Sequence, residues 1–156
     1  MTGCGKSTVG KKLSEISNLS FLDLDEMITT GENKTPRELF DLYGEETFRD
    51  LEHSYLLKAL EMEDVILSCG GGVVLREENR RALEKENVVW ILRTPEAVLS
   101  NPEVLKRPPV NGDPENYRKL YKNRKKLYAS CAKVTISNVD SGDCAEHLAK
   151  LYGFMK

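Results

Sequence analysis

The chain has 156 residues, with 23 lysines and arginines against 25 aspartates and glutamates and a net charge of −2, which suits one domain with one sizeable core. That balance argues against a general nucleic-acid binder or a membrane-surface protein, whose footprint would be basic, and no apolar run approaches the roughly 18 residues of a membrane span. Met1 to Lys12 lacks the apolar stretch of a secretory signal, and the four cysteines show neither C-x-x-C spacing nor a disulfide framework; the expectation is a cytoplasmic protein with reduced thiols and a small-molecule partner.

Gly3-Cys4-Gly5-Lys6-Ser7-Thr8 reads as a phosphate cradle. Small residues let backbone N–H groups converge on an anion, and the helix predicted behind them by Val9, Leu13 and Ile16 adds its positive end. Lys6 would reach the β- and γ-phosphates as a point charge, and the Ser7 hydroxyl is placed to ligate Mg²⁺. Cys4 reads as a small filler residue. Leu19 to Leu24 is a short apolar run ending in Asp23-Leu24-Asp25. If the extended backbone persists, both carboxylates point to one side at the C-terminal edge of a sheet, where open parallel sheets take their ligands. The alternative is a turn residue and a helix N-cap.

Thr35-Pro36-Arg37-Glu38 is a capping box with proline at the first helical position, so a helix starts there and carries Leu39, Phe40 and Tyr43 inward until Gly44 stops it. A longer helix follows over about 45–62, with Phe48, Leu51, Tyr55 and Ala59 as its buried stripe. Arg49 lies beside that stripe, where an ion pair with Glu46 or Glu52 is one account of it. Val65-Ile66-Leu67-Ser68 reads as a strand covered on both faces. After it, Cys69-Gly70-Gly71-Gly72 implies close approach of the backbone to a substrate, with a flexible turn as the alternative. Because this strand ends in serine and not aspartate, small-molecule phosphoryl transfer is favoured over a motor ATPase.

Arg76 to Glu86 reads as a charged helix and Val88 to Leu92 as a third strand, so strands and helices alternate as in an α/β protein with a parallel sheet. Pro95 starts another helix. From Asn101 to Pro114 the proline-rich stretch around Lys106-Arg107 reads as a lid loop, with Arg107 over the transferred phosphoryl group unless the pair is plain solvated surface. Tyr117 to Ala129 is a basic helix, from which Arg124 is singled out. Val134-Thr135-Ile136 is the last strand and Cys144 to Met155 a closing helix, while His53 and His147 read as surface residues.

In these stretches the chain resembles the shikimate kinase family over essentially its whole length. The match is carried by Gly-Cys-Gly-Lys-Ser-Thr at 3–8, Phe21-Leu22-Asp23-Leu24-Asp25, Phe48-Arg49-Asp50-Leu51-Glu52, Ser68-Cys69-Gly70-Gly71-Gly72, Arg107-Pro108 and Arg124. The resemblance implies a three-layer α/β/α kinase with a parallel sheet of order 2-3-1-4-5, moving the ATP γ-phosphoryl group to the 3-hydroxyl of shikimate. By position, Asp25 would bind the substrate hydroxyls and accept the proton. Arg49 and Arg124 would hold the carboxylate, and Gly70, Gly71 and Gly72 would line the substrate. Gly3 to Thr8 and Arg107 would hold ATP. Ser7 would ligate Mg²⁺, with Asp23 and Ser68 acting through water, and Lys6 and Arg107 would neutralise the phosphoryl oxygens.

Within one monomeric domain, 1–156, the helices over about 26–62 would bind shikimate and about 101–116 would form the lid. Ser100 stands where family members often carry an arginine near the adenine. The family's first strand, central in the sheet, precedes the cradle, whereas this sequence opens at the cradle. The expectation is an upstream translation start or a truncated form with impaired folding and catalysis. Competing readings are another small-molecule kinase such as a gluconate kinase, and a non-catalytic nucleotide-binding module. Asp23-Leu24-Asp25 together with Gly70-Gly71-Gly72 favours shikimate, and the presence together of Lys6, Asp25, Arg49, Arg107 and Arg124 argues against a mere binding module.

Overall fold

Short apolar runs become strands and the capped segments between them become helices in the computed structural model, which describes residues 1–106 and 110–155. In chain order these are α1 (Lys6–Ser17), β1 (Ser20–Asp23), α2 (Leu24–Glu32), α3 (Pro36–Leu60), β2 (Val65–Ser68), a 3₁₀ turn (Val73–Leu75), α4 (Glu77–Leu83), β3 (Val89–Leu92), α5 (Pro95–Leu99), α6 (Pro102–Leu105), α7 (Pro114–Cys131), β4 (Val134–Ser137) and α8 (Ser141–Leu151). Strand β1 pairs in parallel with β2, Ser20 opposite Val65 and Asp23 opposite Ser68. Likewise β3 pairs with β4, Val89 opposite Val134 and Leu92 opposite Ser137.

The period-2 alternation of each strand divides the core into two layers. Ile66, Val89, Ile91, Val134 and Ile136 face a layer containing Val9 and Leu13 of α1 and Ala145, Leu148 and Ala149 of α8. Leu67 and Trp90 face the opposite layer, built from Leu24, Ile28, Leu39, Phe48 and Leu56 of α2 and α3 together with Tyr117 and Tyr128 of α7. Trp90 stacks on Tyr128 at 5.8 Å between ring centroids. This is the three-layer α/β/α arrangement, with strands 2-3 and 4-5 of the expected order formed as two separate pairs. Among the described residues no strand lies between them. A cavity of about 480 Å³ occupies that position, lined by Val65 to Ser68 of β2 and by Val89 to Ile91 of β3.

Several expectations are corrected. Of Leu39, Phe40 and Tyr43, Leu39 alone is buried; Phe40 is half-exposed against Phe48 and Tyr43 faces solvent, because Gly44 (φ 81°, ψ 172°) turns the chain before a second apolar ridge forms. The charged stretch from Arg76 is helical only over Glu77–Leu83, since the backbone at Arg76 is still extended. The stretch from Asn101 is not a plain loop. Asn101 caps α6 by accepting from the Glu103 N–H, and Val104 and Val110 are buried. Helix α8 starts earlier than the sequence suggests, because the Asp140 carboxylate accepts from the N–H groups of Gly142 and Asp143. No helix among the described residues is long and apolar enough to cross a membrane.

Candidate active site

The cradle is built by two left-handed residues and a helix start. Gly3 and Gly5 adopt φ +73° and +86°, a conformation that side chains disfavour. A Cβ on Gly3 would lie 2.7 Å from Val98 and 2.8 Å from Val104, and one on Gly5 would lie 2.3 Å from Asn138 Nδ2. The loop is therefore pressed between α5 and α6 on one side and the end of β4 on the other. Gly5 is the N-cap of α1 and supplies no side-chain cap, which leaves first-turn N–H groups for an anion. The Cys4 thiol donates to the Met1 carbonyl oxygen at 3.0 Å. Asn138 Nδ2 donates to the Cys4 carbonyl oxygen at 2.7 Å, and Tyr117 Oη donates to the Thr2 carbonyl oxygen at 3.3 Å.

Beside the cradle, Ser7 Oγ donates to Asp23 Oδ2 at 2.8 Å and lies 3.0 Å from Ser68 Oγ. The pairing of β1 with β2 causes this, because Asp23 and Ser68 are register partners at the ends of their strands. The other Asp23 oxygen accepts from the Asp25 N–H at 3.1 Å and caps α2. The extended backbone thus stops at Asp23, and Asp25 sits in the first turn of a helix. The expectation that strand alternation aligns the two carboxylates is overturned by the cap: Asp23 is both N-cap and neighbour of Ser7, while Asp25 is carried on to the glycine turn.

That turn collects the remaining expected residues. A Cβ on Gly70 would lie 3.0 Å from Asp25 Oδ1 and 3.2 Å from Glu52 Oε1, and one on Gly72 would lie 2.3 Å from Arg49 Nη1. Arg124 Nη1 donates to the Gly71 carbonyl oxygen at 3.1 Å, and Tyr128 Oη donates to the same oxygen. Asp25, Arg124 and Arg49 therefore meet three consecutive glycines, one each. Arg49 also makes the ion pair anticipated for it, with Glu52 at 2.6 Å, and a longer one with Glu45 at 3.6 Å. Its buried Nε has no hydrogen-bond partner among the described residues. Lys6 opens α1 and lines the cavity with Ser68, Cys69 and Gly70. Thr8 is exposed, and Arg107 lies outside the described residues.

The charges are mutually felt. Burial pushes the Glu52 carboxyl above its usual range, with the Arg49 guanidinium pulling the other way. Burial pushes the Cys69 thiol up to about 12; Lys6 opposes this while Glu52, Asp23 and Asp25 add to it, so the thiol stays neutral at any working pH. Two polar residues were not legible as parts of this region. Asn138 is a lone asparagine, signalled only by its place at the carboxyl end of the last strand. His53, expected at the surface, is half-buried with Nδ1 hydrogen-bonded to Asn79 Oδ1, while Asn79 Nδ2 donates to the Val73 carbonyl oxygen at 2.9 Å; the pair braces the turn that follows the glycines. Ser100 Oγ donates to the Ala97 carbonyl oxygen at 2.9 Å at the end of α5.

Comparison with known proteins bears on the same region. The family described as Shikimate kinase matches residues 2–152. A shikimate kinase of Clostridium beijerinckii is 40% identical over 139 residues, covering 88% of this chain and 82% of that protein. A bifunctional shikimate kinase/3-dehydroquinate synthase of Thermotoga maritima is 36% identical over 140 residues, which span 90% of this chain and 28% of that longer protein. A solved shikimate kinase from Acinetobacter baumannii in complex with shikimate superposes with a TM-score of 0.90 at 29% identity, covering 96% of this chain and 87% of that one. With the cradle, the serine–aspartate cluster and the gripped glycine turn in one place, and with the family match running almost end to end, the chain belongs to the shikimate kinase family.

Proposed function

We propose that this chain transfers the γ-phosphoryl group of ATP to the 3-hydroxyl of shikimate, giving shikimate 3-phosphate and ADP. The observation that carries this reading is the convergence of Asp25, Arg49 and Arg124 on Gly70-Gly71-Gly72 beside the cradle. A planar carboxylate is matched by guanidinium forks. Arg49 of α3 and Arg124 of α7 would supply them from different helices, which fixes the ring as well as the charge. Small residues at 70–72 let the substrate approach the backbone closely.

The ATP phosphates would rest on the N–H groups from Gly3 to Thr8, with Lys6 balancing charge at the γ-phosphate. Ser7 presents its hydroxyl oxygen 2.8 Å from Asp23 and 3.0 Å from Ser68, a hard oxygen set that fits Mg²⁺, with Ser7 as direct ligand and Asp23 and Ser68 acting through water. When bound, the ion draws negative charge from the phosphate oxygens. Asp25 orients the attacking hydroxyl and takes its proton as the new O–P bond forms and the bond to the β-phosphate oxygen breaks. By the family resemblance, Arg107 would add a further positive charge for the phosphoryl oxygens.

The direct test is release of ADP in a mixture of the chain, ATP, Mg²⁺ and shikimate, with gluconate in a parallel arm. Turnover is expected with shikimate and not with gluconate. The reverse result would move the chain to a sister activity, and nucleotide binding without any turnover would make it a binding module.

A further inference from the structure

We propose that Asn138 is a positioning residue of the phosphate cradle: its side-chain amide fixes the Cys4–Gly5 peptide so that the Gly5 N–H points at bound phosphate. The inference rests on reading 3–8 as a nucleotide-phosphate cradle. In a trans peptide the C=O and N–H lie on opposite sides. A loop that turns its N–H groups toward an anion must turn carbonyls into the protein, where each needs a donor. The Cys4 carbonyl is turned that way, and Asn138, only 3% exposed, donates to it at 2.7 Å.

Asn138 is itself held on two sides. Its backbone N–H donates to the Leu92 carbonyl oxygen at 2.8 Å, at the end of β3. Its Oδ1 accepts from Ser141 Oγ at 3.3 Å, at the start of α8. With a hydroxyl donor on Oδ1 and a carbonyl acceptor on Nδ2, the amide has one satisfied orientation. The cradle rests on that amide, since Gly5 approaches Nδ2 so closely that a Cβ would lie 2.3 Å away. An amide suits this place because it donates without adding negative charge beside a polyphosphate. Without it, the Cys4 carbonyl is left buried and the peptide is free to rotate, which turns the Gly5 N–H away from the ligand.

The test uses Asn138→Ala and the isosteric Asn138→Asp, with calorimetric binding of inorganic tripolyphosphate, ADP and shikimate, and steady-state kinetics. Both variants should bind tripolyphosphate and ADP about tenfold more weakly and show a KM for ATP raised to match, as expected for one buried hydrogen bond. The aspartate variant should be no better than the alanine, and the KM for shikimate should be unchanged. Wild-type affinity for tripolyphosphate in either variant would overturn the assignment. So would weakening confined to ADP, which would place Asn138 against the base. Parallel loss of shikimate binding, or unfolding of both variants, would make the residue merely structural. Failure of the wild-type chain to bind tripolyphosphate would instead overturn the cradle reading itself.

Discussion

Glu52 and Arg49 form the buried ion pair beside the glycine turn. Glu52 is 2% exposed and accepts from Arg49 at 2.6 Å, yet burial outweighs that partner and raises the carboxyl above its ordinary 4.5. For a carboxyl raised in the folded state, the associated stability is present below about pH 4.5 and lost as pH rises through the folded value. Glu52→Gln should therefore gain stability relative to the wild type as pH rises through that window, measured as urea midpoints at a series of pH values; a pH-independent difference would contradict the raised carboxyl. Arg49→Lys keeps the charge and loses the fork. It should raise the KM for shikimate about tenfold and leave that for ATP unchanged, and kinetics with each substrate varied in turn decides it. Asp25→Asn should retain ATP affinity while kcat falls by about 10²- to 10⁴-fold; equal turnover would remove Asp25 from the chemistry. At this scale the residue types picked out Asp25, Arg49 and Arg124, which the fold brings to one glycine turn. What they did not carry was direction: the bond from the Asp25 N–H to Asp23 ends the strand, and no spacing rule announces it.

The elements with strong local signals are the ones that composition exposes. The capping box at Thr35 and Glu38 starts α3 as expected, and Val65 to Ser68 and Val89 to Leu92 form strands from continuous apolar runs. Helix α6 and the 3₁₀ turn were hidden because they are single turns, too short for a periodic pattern to announce the burial of Val104, Val73 and Val74. The glycine turn was visible, but its mechanical use was not. Backbone geometry at Gly72 (φ −95°, ψ −11°) is open to alanine, and the added methyl would strike the flexible tip of Arg49, 2.3 Å away. Gly72→Ala should thus leave the thermal midpoint nearly unchanged while raising the KM for shikimate, and a large loss of stability with an unchanged KM would show that the glycine serves packing alone.

For the whole molecule, the decisive geometry is the space between the two strand pairs. The inner edges of β2 and β3 border an apolar cavity of about 480 Å³. Strand pairing across a sheet is a long-range matter, so local pattern predicted the strands and the family resemblance supplied their order. A fused segment of about five apolar residues ahead of Met1, free to lie between those edges, should stabilise the fold by roughly 1.5–3 kcal/mol per buried side chain. Such a gain corresponds to a rise of the thermal midpoint by roughly 10 °C or more. Calorimetry comparing an apolar with a polar fusion tests this, and equal midpoints would mean that the space does not accept a strand.

Helix α7 touches the cradle through Tyr117 on Thr2 and the glycine turn through Arg124 on Gly71, two points about 10 Å apart along one rigid rod. A ligand that shifts this rod at either contact alters the other. Thermodynamic reciprocity then requires that whatever factor ATP lends to shikimate affinity, shikimate returns to ATP in equal measure.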